Sequence, residues 1–343
     1  MKEFGSDFHL IKEYQSKRIH LTDIFSDVIL MADGRQSLLA LIRQKKWQRL
    51  WIPEYFCYEV IATIKQQIDI EIVFYPDYPL ADDKGIVAEL PFDDGDVLLR
   101  VNYFGLREHR SKDGIPVPVI EDHTHDLLGH WALNSDADWC IASLRKSLPL
   151  PEGGMLWSPK GHSFSLGLTN TQENQRIANV RWQAMQMKSD YLNGVLSNKE
   201  DFRKLYLETE EWFDTAELSS LDDKSKVYIA QFDINQWQGA KRRNWMLLHS
   251  MLSDKIEILQ PEDNSCTMFS MVVLAESQKQ RDLIRRKLIE RSVYPAILWQ
   301  VPKSTNERVQ DFSLRMLSIH CDGRYNEEDI RQLAEIVNQA IES

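Results

Sequence analysis

Through the first half of this 343-residue chain, short apolar runs alternate with stretches long enough for helices, and no other feature restricts the fold as much. "QRLWIP" ends at Pro53, and "IEIVFYP", "DVLLRVNYFG" and "VPVIED" follow it. Helix-period segments lie among them, "ADGRQSLLALIRQ" opening near Ser37 after a polar turn, and "EYFCYEVIATIKQQ" after the first strand. Strands alternating with helices imply a mostly parallel sheet covered on both faces, an α/β architecture. After Asp233 the texture changes to α+β: "AKRRNWMLLHSML" and "KQRDLIRRKLIERSV" read as helices, "TMFSMVVLA" and "SLRMLSIHC" as strands. "NEEDIRQLAEIVNQAIES" closes the chain as an amphipathic helix with an acidic first turn. The expected organisation is an N-terminal arm over residues 1–30, a large α/β domain over 31–230 and a smaller C-terminal α+β domain over 231–343.

Composition removes several function classes. Lys and Arg total 41 against 52 Asp and Glu, a net charge of -11, which argues against nucleic acid as a partner. No apolar run approaches the ~20 residues that a membrane helix needs, and "MKEFGSDFHL" has no signal-type apolar segment. The expectation is a cytoplasmic protein without membrane contact. Cys57, Cys140, Cys266 and Cys321 lie far apart and read as reduced thiols.

In a parallel α/β sheet, ligands bind at the carboxyl ends of the strands, and three features fall there. Gly34, Arg35 and Gln36 stand at a helix start, where backbone N–H groups and the helix dipole favour a phosphate or serve simply as a helix N-terminus. Asp122 follows the run Val117–Ile120, placed to hold a proton on a ring nitrogen, with His125 three residues on. A metal reading of Asp122, His123, His125 and His130 competes, but His123 and His125 would point oppositely on a strand, and none is assigned. Lys146, in "SLRKSLPLPEGG", follows a strand and the Ser143 hydroxyl and precedes Gly153-Gly154. Phosphate site, ring-nitrogen carboxylate and imine-forming lysine are together the requirements of pyridoxal 5'-phosphate (PLP).

The order of a glycine-led phosphate turn, then "VIED", then "S-x-x-K" followed by "EGG" resembles the fold-type-I PLP enzymes. Within them it is similar to the DegT/DnrJ-type aminotransferases, which act on sugar nucleotides. "AKRRNWMLLHSML", "RSVYPAILW" and "SLRMLSIHCDGRYNEEDIRQL" extend the likeness over most of the chain from Gly34 onward. The resemblance implies Lys146 as the Schiff-base lysine, Asp122 on the pyridine nitrogen, His125 on the ring hydroxyl and Ser143 on the phosphate. It also implies a PLP-dependent aminotransferase that takes an amino acid donor and a keto acceptor, a nucleotide-linked keto sugar, and that forms a homodimer. Asn102 in "VNYFG" matches a family position near the cofactor or substrate, or else serves a strand-end turn.

Three departures accompany the likeness. Ser143 stands only three residues before Lys146, a shorter spacing than usual. Cys57 occupies the position of the family's ring-stacking aromatic, leaving Tyr58 or Tyr55 for that part or for ordinary packing. The "GYN-x-R" segment that reaches the neighbouring subunit's cofactor has no clear counterpart. A lyase-type PLP reaction and a non-catalytic use of the scaffold stay open as alternatives.

Overall fold

The computed structural model describes residues 2–15, 19–25, 27–196, 198–215 and 217–342; residues 1, 16–18 and 26 of the expected arm lie outside them. Its centre is a seven-stranded sheet built from β2 (Ile29–Met31), β3 (Arg49–Pro53), β4 (Glu71–Tyr75), β5 (Asp96–Val101), β6 (Val119–Asp122), β7 (Trp139–Ser143) and β8 (Gly154–Trp157). The order is β2-β8-β7-β6-β5-β3-β4, and only β8 runs against its neighbours. Val101 pairs with Asp122 and Asp122 with Ile141, so the carboxyl ends of β5, β6 and β7 are level. A short parallel ribbon joins β1 (Phe4–Gly5) to β11 (Val293–Tyr294), tying the chain's start to its last third. A second, antiparallel sheet holds β9 (Glu257–Ile258), β10 (Met271–Leu274) and β12 (Met316–Ile319), with β10 central.

Alternation along the strands divides two cores. Ile120, Leu99 and Ile141 face one core, which continues through the helix Gly34–Lys45 into Met271 and Leu317 of the second sheet and Val337 of the helix Glu327–Glu342. Val119, Leu98 and Cys140 face the other, closed by Trp182, Tyr228 and Trp237 from the helices Gln172–Leu192, Asp223–Ile229 and Ile234–Met251. The parallel sheet is thus covered on both faces, as strands rich in Val, Leu and Ile require. Among the described residues no helix is long and apolar enough to cross a membrane.

Element boundaries differ from the sequence expectation where side-chain chemistry overrides apolar spacing. The helix expected near Ser37 opens at Gly34, because the Asp33 carboxylate accepts the Gln36 N–H at 2.9 Å and caps it. "EYFC" stays outside the helix Tyr58–Gln67, and Ser313–Arg315 belong to the helix Glu307–Arg315, leaving β12 shorter than its apolar run. Ile29 and Leu30, at the end of the expected arm, lie in β2.

The paired glycines have separate reasons. Gly153 adopts φ 130°, which side-chain-bearing residues rarely occupy. At Gly154 a Cβ would lie 1.9 Å from the Asp33 carbonyl oxygen, so the start of β8 and the start of the helix Gly34–Lys45 approach backbone to backbone. Gly154→Ala is therefore expected to destabilise the fold by about 3 kcal/mol or more, because backbone rather than a flexible side chain must move. Denaturant unfolding of the two proteins measures this, and an unchanged midpoint would contradict the close approach.

Candidate active site

A cavity of about 530 Å³ opens at the carboxyl ends of the parallel strands. Gly34, Arg35, Cys57, Tyr58, Asp122, His125, Ser143 and Lys146 all line it, delivered in pairs by the ends of β2, β3, β6 and β7 or by the segments after them. Gln36 and Asn102 do not. The Gln36 side chain turns inward, donating to the Glu217 carbonyl at 3.0 Å and accepting the Ser219 N–H at 2.9 Å. Asn102 is buried with both amide atoms unpartnered, while its backbone N–H donates to the Asp122 carbonyl at 3.0 Å. Tyr55 also lies away from the cavity, packed on Tyr103 and Phe312. Tyr58 reaches the cavity wall, but its ring stacks on Phe74 and its hydroxyl donates to the Glu54 carbonyl at 3.2 Å.

Lys146 stands in a single helical turn, Leu144–Ser147, that begins directly at the end of β7. Its amine has no hydrogen bond or ion pair among the described residues and is exposed to the solvent of the cavity. The neighbouring Arg145 guanidinium, and then burial, bring the amine down to about 8. That lowering makes the neutral, nucleophilic form accessible near physiological pH.

Thr124 connects this turn to Asp122. Its N–H donates to Asp122 Oδ1 at 2.9 Å, its Oγ1 accepts the Ser143 N–H at 2.9 Å, and its carbonyl accepts the Ser147 hydroxyl. One residue therefore fixes the acid, the serine and the lysine turn relative to one another. Asp122 is half-buried and makes no ion pair among the described residues; burial raises its pKa, against the hydrogen bonds from Thr124. A carboxyl group in that position would be stabilised by a cationic partner within the cavity.

His125 is buried, and its ring stacks with Phe104 at 5.1 Å, Phe269 at 4.5 Å and Trp299 at 5.5 Å. Its Nδ1 accepts the Phe104 N–H at 3.1 Å, which leaves Nε2 as the protonated, donating nitrogen of the neutral ring. Burial, and after it Lys241 and Lys146, lower its pKa to about 3, so the ring stays neutral. Phe269 and Trp299 bring residues flanking the second sheet into the cavity wall, with Ile297 and Leu298 beside them.

The histidines and acids of "EDHTH" separate by strand alternation. Glu121 and His123 turn to the opposite face, where Glu121 meets His123 at 3.1 Å, Arg100 at 2.6 Å and Ser135 at 2.6 Å. Cys140 completes a buried group of metal-ligand types there, but Arg100 and Ser135 already occupy the carboxylate. His130 is exposed.

Sequence reasoning missed Thr124, Arg145, Glu210, Phe269 and Trp299, all of which line the cavity. Arg145 and Thr124 adjoin recognised residues and were legible by position alone. Glu210 ends the helix Glu200–Glu210, far from any motif, and only the tertiary fold brings it in.

No family model and no curated protein sequence matches the chain. Solved structures do. The aminotransferase TlmJ from Streptoalloteichus hindustanus is 12% identical, with 99% of each chain covered and a TM-score of 0.66. Spr1654 from Streptococcus pneumoniae, assigned as a sugar aminotransferase and solved in its PMP form, is 9% identical over 96% of this chain and 92% of that one, with a TM-score of 0.64. DesI, solved in the presence of its TDP-sugar product, is 14% identical over 92% and 80% of the two chains, with a TM-score of 0.63. At these identities the likeness establishes the fold, which is that of the fold-type-I PLP-dependent aminotransferases.

Proposed function

We propose that this chain is a PLP-dependent aminotransferase that moves an amino group from an amino acid donor to a keto acceptor, with a nucleotide-linked keto sugar as the acceptor class. The observation that carries this reading is the convergence in one cavity of an unpaired lysine of lowered pKa, a half-buried carboxyl group without an ion pair, and a serine beside a helix N-terminus. These residues fit PLP: Lys146 would hold the aldehyde carbon, Asp122 the ring nitrogen, His125 the ring hydroxyl, and Ser143 with the backbone at Gly34 and Arg35 the phosphate. When bound, PLP supplies an electron sink for the charge left at the donor's Cα.

The chain's own residues account for the rest. Asp122 keeps a proton at the ring nitrogen, where charge must be accommodated. Lys146, once released, moves the proton taken from the donor Cα, a task suited to an amine whose pKa is near the working pH. His125 donates from a ring that burial keeps neutral. The acceptor class rests on the named neighbours, among them the one solved with its TDP-sugar product.

The test is direct. PLP-loaded protein mixed with glutamate and no acceptor should yield pyridoxamine phosphate and 2-oxoglutarate, and a nucleotide-linked keto sugar should then regenerate PLP. Release of ammonia or carbon dioxide instead would point to a lyase. The same reading has the protein cytoplasmic and a homodimer; a monomer by light scattering that retains full turnover would exclude the dimer.

A further inference from the structure

Around the start of the helix Gly34–Lys45 the charges do not balance in the way a simple helix-terminus phosphate site would need. The Asp33 carboxyl is buried there, with one oxygen on the Gln36 N–H and Oδ2 without any partner. An acid in that place takes up one N–H and opposes an incoming dianion. The site must therefore draw positive charge from side chains, and three arginines are near.

Two of them are committed. Arg35 pairs with Asp214 and lies 4.0 Å from Glu59. Arg181 is buried and donates to the Pro151 carbonyl at 2.7 Å, to Thr209 at 3.2 Å and to Glu210 at 3.0 Å. Arg145 differs. It lines the cavity between Ser143 and Lys146 in sequence, and among the described residues its only ion pair is with Glu210, at 2.9 Å. Its guanidinium lies over the Phe213 ring at 4.4 Å, and its Nε is buried with no hydrogen-bond partner. Glu210 thus serves two guanidinium groups, which leaves one positive charge there beyond what Glu210 neutralises.

We propose that Arg145 is the side chain that recognises the cofactor phosphate in cis, with Glu210 and Phe213 holding its guanidinium. This rests on the cofactor reading above. Arg145 is suited to the task because a planar guanidinium donates to phosphate oxygens in a fixed fork.

The experiment compares two aldehydes that differ only in the phosphate. Apo protein is titrated with PLP and with pyridoxal, following the visible absorbance of the lysine-linked form, for the wild type, Arg145→Gln, Arg145→Lys and Glu210→Gln. Any effect of the substitution on Lys146 itself is common to both aldehydes and cancels in the ratio of affinities. Arg145→Gln should lower the preference for PLP over pyridoxal between about tenfold and a hundredfold. Arg145→Lys should keep part of it, and Glu210→Gln should keep or raise it. Should Arg145→Gln fail to fold by circular dichroism, Arg145→Lys decides, since it must still lose part of the preference. An unchanged ratio in the variants overturns the proposal while leaving the cofactor reading intact. A wild type that links neither aldehyde overturns both.

Discussion

Lys146→Ala is expected to abolish every covalent link between protein and PLP. Borohydride treatment of the loaded wild type should leave the reduced cofactor on the peptide containing Lys146, and on none in the variant. Turnover should fall by a factor on the order of 10² to 10⁴ from the lost proton transfer alone. The reason is positional: this amine enters the cavity unpaired from a turn fixed at both ends, by Ser143 and by Ser147, to Thr124. Lys241 is the informative alternative, being buried beneath Phe269 at 5.6 Å and close enough to His125 to influence it, yet outside the cavity lining. Reduced cofactor on Lys241 would overturn the assignment. The pH dependence carries the same information. Only the neutral amine attacks an aldehyde, so the rate of link formation should rise with pH and level off above the amine's pKa of about 8. At pH 6 it should be roughly a hundredfold below the plateau, from the protonated fraction. A midpoint near the ordinary lysine value would mean that Arg145 does not act on this amine.

How much of this was legible in the sequence depended on length scale. Strand runs such as "VIED" and "DVLLRV" are long enough for their apolar pattern to declare them, and β6 and β5 appear where those runs stand. β2 is three residues long, too short for periodicity to register, and β8, as long as β6, returns antiparallel to β7 outside the strand–helix alternation that declared the others. They are held instead by pairing with each other and by the glycine contact at Asp33. The same distinction holds in the cavity. Asp122, Ser143 and Lys146 are carried by local motifs, and strand ends deliver them together. Gln36 belongs to such a motif as well, yet its side chain joins the backbone of Glu217 and Ser219, a partner set that local sequence cannot reveal. Trp299 and Phe269 come from the last third of the chain, and only the packing of the second sheet against the first brings them to His125. Glu210 has meaning only beside Arg145 and Arg181. The two guanidinium groups, against the opposing effect of burial, hold its carboxyl at about 2 although 51% of the side chain is exposed.

Asp122→Asn should separate cofactor attachment from turnover. The substituted amide keeps an oxygen for the Thr124 N–H, so the turn that joins the β6 end to Ser143 and Ser147 is preserved. Lys146 should accordingly still form its covalent link, and the protein should remain coloured. Turnover has a different requirement. Asp122 is half-buried at a strand end and forms no ion pair among the described residues, and burial already raises its pKa. A protonated ring nitrogen would be the cation that such a carboxyl group requires, and the pairing would hold the proton there throughout the reaction. A neutral amide gives no charge to keep that proton in place. Losing a charge-assisted hydrogen bond of this kind costs about 1.5–3 kcal/mol, a factor of roughly ten to a hundred, and the weaker electron withdrawal adds to it. Half-reactions with an amino donor, followed by absorbance in a single turnover, measure the loss without interference from the acceptor. Asp122→Glu tests the geometry separately, because it restores the charge but moves it by one methylene. A variant Asp122→Asn that binds PLP and turns over at the wild-type rate would show that the ring nitrogen faces some other group, and the orientation of the cofactor in this cavity would have to be reversed.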